Sequence, residues 1–310
     1  MGRLGCLVAA ACLAAGCAKP EDPRPSKIAF AIDRTGTNRD ILVMDARGGE
    51  PEAVAAADAY DETPAWSPDG ATLLFASGRD GHFGIYSWEG KLGKVAMAHY
   101  KDCAPAWSPD GRRIAYMSNR DESWQIYSIG PTGRDEKRLT DSKSNDTWPV
   151  WSVDGGSILF LSDRGGQQDI YSMKVLPSER EPNPKREEGK EPPKYTEDLR
   201  ALTNDRAWDG RPACSPDGKW IAWPSAREGQ NAIFVMGVDG KNPRRLTPLD
   251  SEADEPSWSP DSRQIVFVST RDGFRELYVM NADGSGQKRL TFQRGQIFTP
   301  AWSPFLPASK

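Results

Sequence analysis

Trp66-Ser67-Pro68-Asp69-Gly70, running into Leu73-Leu74-Phe75, is the stretch against which the rest of the chain aligns. Its first three residues return at Trp107-Ser108-Pro109, Trp258-Ser259-Pro260 and Trp302-Ser303-Pro304, with degenerate copies at Trp151-Ser152-Val153 and Cys214-Ser215-Pro216. The six anchors lie 41, 44, 63, 44 and 44 residues apart. A fixed period in this range marks stacked supersecondary units. Five anchors continue into Asp-Gly or a near relative, from Asp69-Gly70 to Asp261-Ser262. That suits a type I turn, because Pro presets the first central φ and Gly tolerates the exit.

Each anchor is followed by a short β-branched or aromatic run, such as Ile114-Ala115-Tyr116, Ile158-Leu159-Phe160 and Ile265-Val266-Phe267, which reads as a strand. A polar Ser-x-Arg hairpin comes next and contributes Arg79, Arg120, Arg164, Arg227 and Arg271. A further strand follows at Ile85-Tyr86, Ile126-Tyr127, Ile170-Tyr171, Ile233-Phe234 and Leu277-Tyr278, and another is marked by Arg-Leu-Thr, as in Arg138-Leu139-Thr140. With the anchor strand this makes four strands per repeat, and radial repetition of such units builds a propeller. The pattern enters at Ile28-Ala29-Phe30 without an anchor and ends on an anchor at Trp302 without a following blade. The last strand is therefore predicted to complete the first blade and remove the open edges. The expectation is an all-β, six-bladed β-propeller of four-stranded antiparallel blades over residues 28–306, with a tail at 307–310.

The unit Pro105-Ala106-Trp107-Ser108-Pro109-Asp110-Gly111, joined to strand, Ser-x-Arg-Asp-Gly, Ile-Tyr-x-Met and Arg-Leu-Thr, resembles the TolB-type propeller repeat. Residues 263–303 show it most fully, with Leu277-Tyr278-Val279-Met280-Asn281-Ala282-Asp283-Gly284 in the middle. The resemblance implies a cell-envelope binding scaffold. Its partner would be a peptidoglycan-associated lipoprotein-like or other envelope protein, or a short peptide segment. TolB-type proteins carry a separate domain ahead of the propeller; here ten residues separate Cys17 from Ile28.

The N-terminus reads as a targeting segment. Arg3 precedes a short apolar stretch, Leu4 to Leu13, below the about twenty residues that span a bilayer. Leu13-Ala14-Ala15-Gly16-Cys17 resembles a bacterial lipoprotein signal at residues 1–16, which would leave Cys17 lipidated on a tether of residues 17–27. An ordinary secretory signal with a coincidental Cys is the alternative. Residue 18 is Ala and not Asp, which by family resemblance favours the periplasmic side of the outer membrane in a Gram-negative cell. A net charge of −4 argues against nucleic acid, which needs a basic footprint. The propeller leaves no length for a second domain, and a monomer is expected. Cys103 and Cys214 remain, the latter where other repeats place Trp, and a buried, unbridged Cys214 is the expectation.

Catalytic chemistry is sparsely supported. The two histidines, His82 and His99, offer no ligand set, and no Gly-x-Ser-x-Gly elbow is present. The Asp-Gly turns lack the carboxylates of a calcium loop. No metal, cofactor or catalytic residue is predicted.

A binding mouth is predicted instead, where loops lead into the anchor strands beside the channel. Asp61, Asp102, Asp146 and Asp209 stand five residues before their anchors, and Asp254 four before its own. The five Ser-x-Arg arginines should open on the same face. Either these residues pair between blades and tie loops down, or they form a polar funnel for a partner. Tyr60, Tyr100, Trp148, Trp208 and Phe298 lie in the same stretches without being anchors, and loop aromatics are disproportionately interface anchors. The long interval holds a Pro- and charge-rich insertion at 176–198, read as a mobile loop on the opposite face that is either a spacer or a docking site. The alternative function is a periplasmic carbohydrate- or small-ligand-binding propeller, or a hydrolase or lyase, using polar residues that line the channel.

Overall fold

The computed structural model describes residues 24–36, 38–54, 57–96, 100–180, 194–293 and 295–307. Six four-stranded antiparallel sheets form a ring. Blade 1 takes Gln296–Trp302 as its inner strand, followed outward by Lys27–Asp33, Arg39–Asp45 and Glu52–Ala53. The inner strands of blades 2, 3, 4, 5 and 6 are Asp61–Trp66, Asp102–Trp107, Asp146–Trp151, Ala213–Cys214 and Ala253–Trp258. Ring closure is as the repeat predicts, with Ile28 paired to Trp302 and Ile32 to Ile297. The N- and C-terminal segments thus share one sheet, and neither leaves an edge open at the seam.

The anchor residues have local reasons. Gly70 N–H donates to Ser67 O at 2.9 Å, while Ser67 Oγ donates to Asp69 Oδ1 at 2.6 Å and accepts from Thr72 N–H at 2.9 Å. The same turn recurs at Ser108, Ser152, Ser215 and Ser259. The anchor indoles reach between blades: Trp66 Nε1–H donates to Ala301 O at 3.1 Å and Trp258 Nε1–H to Ala213 O at 3.0 Å. Outer strands are held by the Leu-Thr pair. Leu139 N–H donates to Ile126 O, and Thr140 Oγ1 accepts from Ile126 N–H. Thr203, Thr247 and Thr291 repeat this acceptor role.

The core lies between neighbouring sheets, where the second and third strands of each blade are buried. Phe75 stacks on Tyr86, Tyr116 on Tyr127 and Phe160 on Tyr171, with centroids 6.1, 5.9 and 6.1 Å apart. Each fully buried ring contributes about 1.5–3 kcal/mol of burial, and these aromatics fill the widening space between blades.

Two expectations change. The insertion does not span all of 176–198. Pro177–Arg180 is a helical turn, Leu176 N–H donates to Tyr195 O at 2.8 Å, and Thr196–Ala201 is the outer strand of blade 4. These ends extend the sheet ladder, which keeps their backbone paired. Residues 181–193 lie outside the described residues, as do the predicted signal at 1–16, Cys17, most of the tether, His99 and 308–310. Second, Trp148 and Phe298 are not in loops but inside inner strands.

Candidate functional site

In blades 2, 3 and 4 the inner strand begins opposite the Ser of its own Ser-x-Arg hairpin: Asp61 pairs with Ser77, Asp102 with Ser118 and Asp146 with Ser162; in blade 5 Asp209, ahead of the inner strand, is bridged to Ser225. That register places the hairpins and the starts of these inner strands on one face. It also decides the partners of the acidic residues. Arg79 Nη2 lies 2.8 Å from Asp61, Arg120 3.2 Å from Asp102, Arg164 2.7 Å from Asp146 and Arg227 3.2 Å from Asp209. The ties run within one blade and not between blades, because the hairpin folds its Arg back over its own strand. Each guanidinium also covers the aromatic pair beneath it, as Arg164 covers Phe160 and Tyr171. All four carboxylates are fully buried, so none presents a surface to a partner. Burial pushes Asp61 and Asp102 above the ordinary carboxylate value, against the lowering effect of Ser and Arg.

Blade 6 departs from this pattern. Ala253 occupies the aspartate position, paired with Ser269, and Arg271 Nη2 is buried without a hydrogen-bond partner. Asp254 faces Arg275 instead, at 4.0 Å.

Inside the channel the decisive feature is a bulge two residues into the inner strands. Thr63, Ala104, Trp148, Glu255 and Thr299 occupy it with φ between 48° and 56°. Thr63 N–H donates to Thr299 Oγ1 at 3.3 Å, Ala104 N–H to Thr63 Oγ1 at 3.2 Å, and Thr299 N–H to Glu255 Oε2 at 2.9 Å. This belt links blades 6, 1, 2 and 3 around the channel. In blade 5 the position is Arg211, where the strand is reduced to Ala213–Cys214 and Gly210 N–H donates to Pro224 O.

The channel wall is therefore charged and uneven. Arg275 lies 3.0 Å from Glu255, and Arg39 lies 3.1 Å from Glu62. Phe298 is clasped by both cations, Arg39 at 3.9 Å and Arg275 at 4.8 Å from its ring centroid. Burial, then repulsion from Asp254, raises the Glu255 carboxyl above its ordinary value, and burial raises Asp254 likewise.

Around the rim, Tyr60, Tyr100 and Trp208 are exposed, as their loop positions imply. Trp208 Nε1–H donates to Gln168 Oε1 at 2.6 Å across to blade 4. Phe274 and Phe292, the latter 71% exposed, extend this rim at blade 6. The sequence reading missed both, together with Arg39, Arg211, Glu255 and Arg275. For the two phenylalanines the signal was present: Phe274 sits in a Ser-x-Arg hairpin and Phe292 follows Leu290-Thr291. His82 is exposed on a hairpin of blade 2. Among the described residues, no three His, Cys, Asp or Glu side chains are placed to share a metal ion. Cys103 and Cys214 are free thiols; burial pushes Cys214 up to about 12 and Cys103 higher still.

Residues 89–198 and 194–305 each match the TolB beta propeller domain. The chain belongs to that family. TolB from Acinetobacter baumannii superposes with a TM-score of 0.75 at 24% identity, over 90% of this chain and 67% of that one. A putative TolB from Agrobacterium tumefaciens gives a TM-score of 0.65 at 25% identity, over 91% of this chain and 93% of that one. The same architecture extends to a chain of the nidogen/laminin complex, with a TM-score of 0.69 at 10% identity, over 91% of this chain and 100% of that one. This last likeness is one of fold alone. The TolB-type repeat read in the sequence is thus the repeat of this propeller.

Proposed function

We propose that this TolB-family propeller is a non-catalytic binding scaffold of the cell envelope that receives a protein segment at its channel mouth. One observation carries the reading: the aromatics of the mouth face divide into two sets. The blade aromatics are consumed by stacking under the Ser-x-Arg arginines, whereas Tyr60, Tyr100, Trp208, Phe274 and Phe292 stay exposed around a charged channel. Exposed rings on the face that carries a charged channel suit recognition of another chain. Kinship with TolB-named propellers supports an envelope protein as that partner, of the peptidoglycan-associated lipoprotein-like class. Lipidation at Cys17 and a position on the periplasmic side of the outer membrane complete the proposal.

The test is affinity capture from solubilised envelope with the wild type and with a Tyr100→Ala/Trp208→Ala variant. Tyr100 is exposed and Trp208 gives up one hydrogen bond to Gln168, so the variant should unfold within about 4 °C of the wild type. One protein enriched by the wild type and lost with the variant supports the reading. Equal capture by both removes the mouth from it, and no capture turns attention to small ligands.

A further inference from the structure

The charged side chains of the inner strands and of the short segment Asp209–Cys214 have partners, with one exception. Asp61, Asp102, Asp146 and Asp209 are held by their hairpin arginines, Glu62 by Arg39, and Asp254 and Glu255 by Arg275. Arg211 is the only cation among them. It makes no hydrogen bond and no ion pair within 4 Å among the described residues; its guanidinium carbon lies 5.6 Å from the centroid of the Trp148 ring. Glu255 is near enough to be felt electrostatically, yet it forms no ion pair with Arg211 within 4 Å; its Oε2 accepts from Arg275 at 3.0 Å and from Thr299 N–H at 2.9 Å. Burial lowers the Arg211 pKa, against the raising effect of Glu255. The residue is only half-buried.

A half-buried guanidinium beside an indole face, with no ion pair within 4 Å among the described residues, is a prepared half of a charge-assisted hydrogen bond. Its planar fork fits a carboxylate in two-point fashion. We propose that Arg211 anchors a carboxylate carried by the peptide segment that enters the channel, with Trp148 supporting the apolar part of the same residue. This rests on the mouth reading above and adds to it the chemistry of the inserted residue. The carboxylate can belong to an Asp or Glu side chain or to a chain terminus; both present the same two oxygens.

Random heptapeptides displayed in two formats, one with a free and one with a blocked C-terminus, would be selected on the purified full chain. Asp or Glu enriched in both formats identifies a side-chain carboxylate. Enrichment confined to the free-terminus format, without acidic residues, identifies the terminal one. In either case Arg211→Gln should weaken the selected peptides by on the order of tenfold or more, and Arg211→Lys by less. Because Arg211 ties nothing down, both variants should melt within about 2 °C of the wild type. Peptides that lack any carboxylate preference and bind Arg211→Gln equally, yet are lost with Tyr100→Ala/Trp208→Ala, overturn this proposal and leave the mouth reading intact. Peptides indifferent to every mouth substitution, or no enrichment in either format, overturn both.

Discussion

Asp254 and Glu255, on the inner strand of blade 6, share Arg275 from the hairpin ahead of that blade's third strand, and burial sets their balance. Glu255 is held above its ordinary value of 4.5 in the folded chain. Its protonated form therefore adds stability that is fully present below the unfolded value and is lost as pH rises through the folded one. Glu255→Gln mimics that form at every pH. The variant is expected to melt above the wild type at pH 7 and level with it at pH 4, measured by thermal unfolding at both. A lower melting temperature at both would mean that the bond to Arg275 outweighs the cost of burial. Turn carboxylates such as Asp69 and Asp283 act in the opposite sense: hydroxyl and backbone N–H bonds lower them, and their contribution is lost on acidification. The buried aspartates were visible in the sequence by position, but their in-blade partners were misread. A separation of 18 residues between Asp and Arg, constant in all four blades, was the unread signal.

Turns and bulges divide differently between what spacing reveals and what it hides. The anchor turns were legible because Gly marks them, and Gly111 has φ +68 with open space where a Cβ would sit. Gly133, on a hairpin of blade 3, has φ +76 and in addition meets Val95 O of blade 2 at 2.3 Å from that Cβ position. Gly111→Ala should cost about 1–2 kcal/mol through its left-handed backbone alone. Gly133→Ala should cost more than Gly111→Ala, since a neighbouring blade's backbone must also move. Chemical denaturation of the two variants checks the order, and equal losses would show that the contact between blades yields freely. The channel bulge was not legible. Its left-handed positions are held by Thr, Ala, Trp, Glu and Thr, which favour that region far less than Gly or Asn and so leave no mark in the sequence. The belt of hydrogen bonds overrides local preference there.

Closure by Gln296–Trp302 makes the ring one object. Deleting residues 296–307 removes the inner strand of blade 1, with the Trp302 indole bond to Ser26 Oγ and the Ala301 carbonyl that receives Trp66. The shortened chain is expected to lose its cooperative unfolding transition and to associate through the edge it exposes, as scattering and calorimetry would show. A monomer with one sharp transition would mean that five blades and a remnant suffice. Closure also separates what could be read from what could not. Blade number, strand order, turn placement and the velcro strand follow from short-range preferences repeated six times, so they stand in the residues without any contact being known. The channel is different. Thr63 meets Thr299 across 236 positions, and Arg211, Glu255, Arg275 and Phe298 become neighbours only when six inner strands face a common axis. Which charges cancel there, and that Arg211 is left over, depends on distances that no periodicity encodes.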